Sequence, residues 1–313
     1  MSYAAVVSRA DAAGLIPQPI ASTIIEAITQ ASAALQLFRQ VELSSGTSRL
    51  PVVSLLPSAY WVSPTDTGLK QTTEANWTDV LMTVEEIAAI VTVPQSVFND
   101  SQFDMWAQLR PMLADAVGRV LDDTIFFGTG APASWTGANI VAKAVAASNF
   151  VNLGTATAPA GLLGDISLTF AKVEEDGFDV KAAVSKAATR GALRAAMITS
   201  EAMAAQATTN EVWGVPITYA MGGLWPTSAN AAQLIAGDFS QGVLGVRQDI
   251  TYTTFDQGVI TDAAGVVVQN LMQQDLVAIR VVARYAFAVP NPVTRDNANA
   301  STRYPFAVLR NAT

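Results

Sequence analysis

The chain has 313 residues, half of them hydrophobic and only 14% charged, with a mean hydropathy of +0.31 and a formal charge of −8. It has no cysteine and no histidine, which excludes disulfides, thiolate chemistry, thiolate or imidazole metal sites and the commonest general base. The acidic balance is opposite to the basic footprint of a protein that grips nucleic acid.

This composition supports a large core, in one elaborate domain or two intertwined ones, and excludes global disorder. No run approaches the ~18 uninterrupted apolar residues of a membrane helix, so a chain this apolar is expected to bury surface against copies of itself. The opening "MSYAAVVSRADAAG" puts Arg9 and Asp11 where a signal peptide needs its apolar run, and no export signal is read. The Asn-x-Ser/Thr triplets at Asn76, Asn299 and Asn311 are then incidental.

In residues 1–48, "IASTIIEAITQASAALQLFRQ" keeps Ile24, Ile28, Ala31, Leu35 and Phe38 at helical spacing behind Pro17 and Pro19, an arm lying on something else. "RLPVVSLLPSAYWVS" and "WTDVLMTVEEIAAIVTVP" read as the strands of a long hairpin with a polar tip at 64–76. In the return strand Val80, Met82 and Val84 alternate until the phase slips at Glu85-Glu86 to Ile87, Ala89, Val91 and Val93, predicting a bulge or bend where the hairpin leaves the body.

Residues 101–127 then carry Phe103, Trp106, Leu109, Leu113, Val117, Val120 and Leu121 at three- and four-residue steps, one buried face of a spine helix roughly 40 Å long. Pro111 in its middle removes the hydrogen bond to the Ala107 carbonyl and is expected to bend it. Residues 128–161 read as loop. A second helix is expected in "GDISLTFAKVEEDGFDV", capped at its start by Asp165 and closed at Gly177. Residues 178–250 alternate short strands and helices as a compact α/β lobe, with "WGVPITYA" as a buried strand and "GDFSQGVLGVRQDI" as a turn into a further helix–strand unit. Over 276–289, "LVAIRVVARYAFAV" alternates throughout, a strand roughly 45 Å long with Val277, Ile279, Val281, Ala283, Tyr285, Phe287 and Val289 on one face and Arg280 and Arg284 on the other. There is no repeat at solenoid periods.

Arm, hairpin, spine helix ending in "FFGTGAP", second helix, α/β lobe with "GDFSQGVLGVRQDI" and long terminal strand, in that order over roughly 15–313, resemble the tailed-bacteriophage major capsid protein family. The resemblance implies an α+β chain with the Hong Kong 97-type capsid fold. It assigns 1–48 to an N-terminal arm and 49–93 to an extended E-loop hairpin and its roots. It assigns 94–179 to a P-domain, 180–250 to an axial A-domain, and 251–313 to a return to the P-domain with its long strand. On this reading the spine helix is long because it runs along a shell wall, and Pro111 lets it follow the curvature.

The resemblance further implies a structural subunit, not an enzyme, with no catalytic, cofactor-binding or metal-binding residue. Such a subunit assembles as hexamers and pentamers of an icosahedral shell, with a portal as a partner and a decoration protein as a possible further one. It encloses double-stranded DNA without specific binding, has no membrane association, and resides in the virion after assembly in the host cytoplasm. Many members carry a cleavable scaffolding extension; Met1 lies too few residues before the hairpin for one, so a separate scaffolding protein, or none, is expected. Some members weld neighbours through a Lys–Asn isopeptide bond. Lys70 lies at the hairpin tip, but the partner position falls at Asp275, so no weld is expected.

Charge supplies the expected contact. Residues 60–86 hold Asp66, Glu74, Asp79, Glu85 and Glu86 against Lys70, whereas 276–313 hold Arg280, Arg284, Arg295, Arg303 and Arg310 against Asp296. In the family the E-loop reaches over a neighbour's P-domain, which makes Asp66, Lys70, Glu74 and Asp79 the candidate contact residues on one side and Arg280, Arg284, Arg295 and Arg303 those on the other.

Sharper chemistry finds little support. "GTGAPA" at 128–133 mimics a dinucleotide fingerprint but closes a helix instead of opening one, so it reads as a C-terminal cap. Glu174-Glu175-Asp176 and Asp122-Asp123 read as solvated acids, not cation sites. The alternatives to a virion shell are an encapsulin nanocompartment of the same fold enclosing cargo enzymes, and a histidine-free hydrolase. Neighbouring genes separate the first, and size-exclusion chromatography the second.

Overall fold

The computed structural model describes residues 32–62, 70, 72–96, 105–156, 161–199, 208–220, 223–227 and 231–312. Pro17, Pro19, Ile24, Ile28 and Ala31 of the expected arm helix, Phe103 of the spine helix and Asp66 of the hairpin tip lie outside the described residues.

The described arm is a single turn, α1 (Ala33–Leu37), followed by β1 (Arg39–Glu42). The hairpin comprises β2 (Thr47–Leu55) and β3 (Asn76–Thr83), antiparallel, with Leu50 opposite Val80 and Ser48 opposite Met82. The phase slip at Glu85-Glu86 is a change of sheet. Val84 leaves the ladder, its N–H donating to the Gly46 carbonyl, and β4 (Glu85–Pro94) pairs with a different strand. Val80, Met82 and Val84 accordingly pack in a small cluster of their own, whereas Ile87, Ala89 and Val91 pack on the main core.

The spine helix, α2, runs Met105–Phe127 without interruption at Pro111. Its inner face is Leu113, Val117, Leu121, Ile125 and Phe126. Val120, expected on that face, is 50% exposed: each residue turns the helix by about 100°, which carries Val120 to the flank of the Val117–Leu121 line. Gly128, at φ +73°, ends the helix in the left-handed conformation that glycine adopts without cost, so "GTGAPA" is a cap.

Residues 128–161, read as loop, contain α3 (Ile140–Ala146) and β5 (Phe150–Asn152). Asn139 starts α3, accepting from the Ala142 N–H. The second helix, α4 (Gly161–Glu175), starts a turn earlier than Asp165. Asp165 is no N-cap. It is buried inside the helix and its carboxylate accepts the N–H groups of Gly154 (2.7 Å) and Ala156 (2.6 Å), holding the preceding loop. Gly177, at φ +79°, closes the helix as expected.

Beyond it lie β6 (Ala182–Lys186), α5 (Thr189–Thr199), β7 (Glu211–Val212), β8 (Val215–Ala220) and β9 (Ala232–Gly237), then β10 (Val243–Phe255), a small hairpin β11 (Val259–Thr261) and β12 (Val267–Asn270), the long strand β13 (Leu276–Ala288) and β14 (Phe306–Arg310). "GDFSQG" forms the expected turn, a single 3-10 turn at Phe239–Gln241, but it leads straight into β10 without the helix expected between them.

A four-stranded sheet has the order β1-β10-β13-β4, and a six-stranded sheet the order β5-β14-β9-β6-β8-β7. The second sheet crosses the lobe boundary read at 180–250, because β14, from beyond that range, pairs with β9 on one side and with β5, from before the range, on the other. Period two governs the core. Ile279, Val281, Ala283, Tyr285 and Phe287 of β13 point at α2, and Ile235 of β9 joins them. Leu234 and Ala236 instead face Leu163, Ile166 and Phe170 of α4.

One residue of the arm holds these layers together. Phe38 stacks within 6.2 Å, between centroids, of Phe126 at the end of α2, Phe239 in the 3-10 turn, Phe287 of β13 and Phe306 of β14. Gly242 lets it approach; a Cβ there would lie 2.5 Å from Phe38 Cε1.

Candidate inter-subunit surfaces

Strand alternation sends Thr78, Val80 and Met82 to one side of the hairpin and Trp77, Asp79 and Leu81 to the other. Met82 is buried, while Trp77 is 68% and Leu81 50% exposed. Beyond β2, Trp61 is fully exposed. An apolar face of this kind asks for a cover. At its centre Arg49 and Asp79 form an ion pair at 2.6 Å. Lys70 and Glu74 are exposed and make no ion pair among the described residues.

The expected arginines divide. The register of β4 on β13 sets Arg284 directly opposite Glu86, and the two pair at 2.7 Å; at nearly half exposure the bond is worth about 0–1 kcal/mol. Arg280 lies over the Phe255 ring at 4.9 Å, and Arg247 and Arg284 line one shallow hollow with Glu86. Glu85 lines the same hollow, so its two arginines are matched by two acids, and Arg280 is the arginine of β13 that has no carboxylate partner among the described residues. Arg295 is exposed and donates to the Pro57 carbonyl at 2.8 Å, tying the hairpin to the C-terminal loop. Arg303 is not on an open face. It is 4% exposed and donates to the carbonyls of Asn291 and Asn297, and burial pulls its pKa down. Its place in the chain, between the turn at Asn299 and the inward-facing β14, buries it. Asp275 is exposed with φ +48°, and its carbonyl accepts from the Gln95 N–H.

Three buried acids were not foreseen. Asp122, read as solvated, is 4% exposed and points from α2 at the arm: its carboxylate accepts Ser32 Oγ (2.6 Å), Ala33 N (2.9 Å) and Ala34 N (2.9 Å). Burial raises its pKa despite those bonds. The visible signal was Gly118 one turn earlier, where a Cβ would meet Ser32 Cβ at 3.2 Å. Asp176, also read as solvated, is buried and accepts Asn149 Nδ2, Asn297 Nδ2 and the Tyr304 N–H, while Glu174 and Glu175 are exposed as expected. Asp238 starts the 3-10 turn. Burial pushes its carboxyl up, but Ser240, Gln241 and Lys181 donate to it and together hold it below the usual range.

Among the described residues there is no group of three acids placed to hold a metal ion and no helix long and apolar enough to cross a membrane. The four buried acids among the described residues, Asp122, Asp165, Asp176 and Asp238, each tie chain segments together.

The two sheets, the spine helix and the projecting hairpin make up a Hong Kong 97-type capsid fold. The phage capsid family model matches residues 12–293, and the chain belongs to that family. It is 23% identical over 282 residues to the major capsid protein of Staphylococcus phage 80alpha, spanning 88% of this chain and 82% of that one. Among solved structures, a chain of Microbacterium phage Oxtober96 is 33% identical with a TM-score of 0.81, covering 97% of this chain and 99% of its own length. A chain of Mycobacterium phage Bobi is 27% identical with a TM-score of 0.84, covering 99% and 100%.

Proposed function

We infer that this chain is the major capsid protein of a tailed bacteriophage, a structural subunit whose copies assemble into the icosahedral shell around the genome. The observation that carries this reading is a likeness over the whole order of elements, from arm to β14, to phage chains of almost the same length. The fully exposed Trp61 and the bare face of Trp77 and Leu81 support it, since a neighbour would bury them. An encapsulin is the second reading of the same fold; the phage origin of these relatives favours the virion.

In this account the hairpin is the E-loop, α2, α4 and β13 belong to the P-domain, and the six-stranded sheet forms most of the A-domain. Pro111 lets α2 follow the curved wall. The E-loop of one copy, with Asp66, Lys70, Glu74 and Asp79, lies on the sheet face of the next that carries Arg280 and Arg284, with Arg295 at its rim. Asp79 and Arg284 already hold partners in their own chain, so Glu74 and Arg280 are the freer pair. Apolar burial supplies most of the cohesion, because exposed ion pairs contribute only about 0–1 kcal/mol each.

Hexamers and pentamers, a portal, a separate scaffolding protein, a possible decoration protein, double-stranded DNA held without specific contacts, and assembly in the host cytoplasm complete the proposal. It assigns no enzymatic activity. Size-exclusion chromatography with light scattering on the chain expressed alone and with its scaffolding protein tests it: megadalton particles are expected, and a stable 33 kDa monomer under both conditions contradicts it.

A further inference from the structure

A pocket of about 320 Å³ opens between the hairpin strand β3, helix α3 and the loop before β14. Lys143, Arg303, Thr136, Asn291, Ser301 and Tyr304 line it, and among the described residues no acid does. Lys143 makes no ion pair among the described residues. Arg303 makes none either; its bonds go to Asn291 and Asn297, which carry no charge. Asp176 lies near Arg303 and offsets part of its charge, but its carboxylate is taken up by Asn149, Asn297 and the Tyr304 N–H. Tyr304 is 6% exposed, and its buried hydroxyl has no hydrogen-bond partner.

Neither cation touches a carboxylate among the described residues, and Arg303, which is buried, has its charge only partly offset by Asp176; a negative group that joins them recovers what that burial costs. The hydroxyls of Thr136 and Ser301 and the amide of Asn291 add neutral donors at the same hollow. We propose that this pocket is an oxyanion site that accepts one carboxylate- or phosphate-sized group between Lys143 and Arg303. In an assembled shell the natural source is an acidic side chain of a neighbouring copy. A free phosphate offers the same chemistry. The site rests on the shell reading only for the source of its ligand.

The test titrates the unassembled full-length chain with inorganic phosphate and with acetate, against chloride at matched ionic strength, and follows the thermal midpoint. Both anions are expected to raise it beyond chloride. Lys143→Gln should weaken the half-saturating phosphate concentration by about tenfold, the effect of losing one charge-assisted hydrogen bond. Lys172→Gln, whose partner is Glu175 on α4, should leave it unchanged.

Repeating the titration on assembled shells identifies the source. A response lost on assembly assigns the site to a neighbour's carboxylate; a response retained overturns that source and assigns a solution anion. No anion-specific response in the unassembled chain, or one that Lys143→Gln leaves intact, overturns the site itself and leaves shell assembly standing.

Discussion

The contact between Phe38 and Gly242 offers a quantitative check on how the layers are joined. Gly242 has φ −86° and ψ 135°, extended backbone open to any residue, so Gly242→Ala carries no conformational penalty. Its cost comes from the ring, since the new Cβ would lie 2.5 Å from Phe38 Cε1. Phe38 is wedged among four other phenylalanines and has little room to retreat. Overpacking of this kind costs about 1–3 kcal/mol. Phe38→Ala alone, at 4% exposure, removes a buried ring and costs about 3–5 kcal/mol.

In the Phe38→Ala background the alanine methyl enters vacated space. Gly242→Ala then becomes neutral, or stabilises by up to about 1 kcal/mol through the unfolded chain's entropy. The double-mutant cycle therefore has a coupling energy of at least about 1 kcal/mol in favour of the pair. Equilibrium urea unfolding of the unassembled chains, followed by circular dichroism and tryptophan fluorescence, measures it. Costs that add within about 0.5 kcal/mol would refute the close approach, and with it the seating of the arm between the sheets.

The Asp122 clamp predicts a pH dependence. Asp122→Ala orphans the Ala33 and Ala34 N–H groups and frees Ser32 Oγ, a loss of about 1–3 kcal/mol. Because burial raises the folded-state pKa, the native chain binds this proton more readily than the unfolded one, and Asp122's contribution falls as pH rises through the raised value. The stability gap between wild type and Asp122→Ala should widen as pH is lowered from neutrality toward the ordinary carboxylate range; a gap that narrows refutes the assignment. At the proposed contact, Glu74→Lys should slow assembly more at low than at physiological salt, and adding Arg280→Glu should partly restore it. Turbidity traces in which the second change rescues nothing dismiss that pair. Boiled denaturing gels of shells should show one band at chain mass, because Asp275 must lose water to join Lys70, where an asparagine would release ammonia; a ladder abolished by Lys70→Ala would show a weld.

What could be read beforehand was what local periodicity encodes. The alternation of β13 is unbroken from Ile279 to Phe287, and the inner face has the residues it should. The slip at Glu85-Glu86 located the passage from hairpin to sheet, and Gly177 marked a helix end. The misses have long-range causes. Residues 306–310 are too short to stand out, and become β14 only because β5 and β9, both distant in the sequence, flank them. Asp122 and Asp176 look like ordinary surface acids, and Asp165 like a helix cap, because their partners lie in other segments. Asp176 is satisfied by residues 149, 297 and 304, which nothing in its own neighbourhood foretells. Of the contact residues, the charge pattern was visible. That Arg303 is buried and that Asp79 and Arg284 are paired within the chain depended on strand register and burial.

Cryo-electron microscopy of particles formed by this chain tests the central claim most directly. The account predicts a closed icosahedral shell in which each hairpin lies on the four-stranded sheet of the adjacent copy, with Trp61, Trp77 and Leu81 covered and Glu74 within reach of Arg280. A closed shell with the hairpin folded back on its own chain, or no ordered particle from chain plus scaffolding protein, would contradict it.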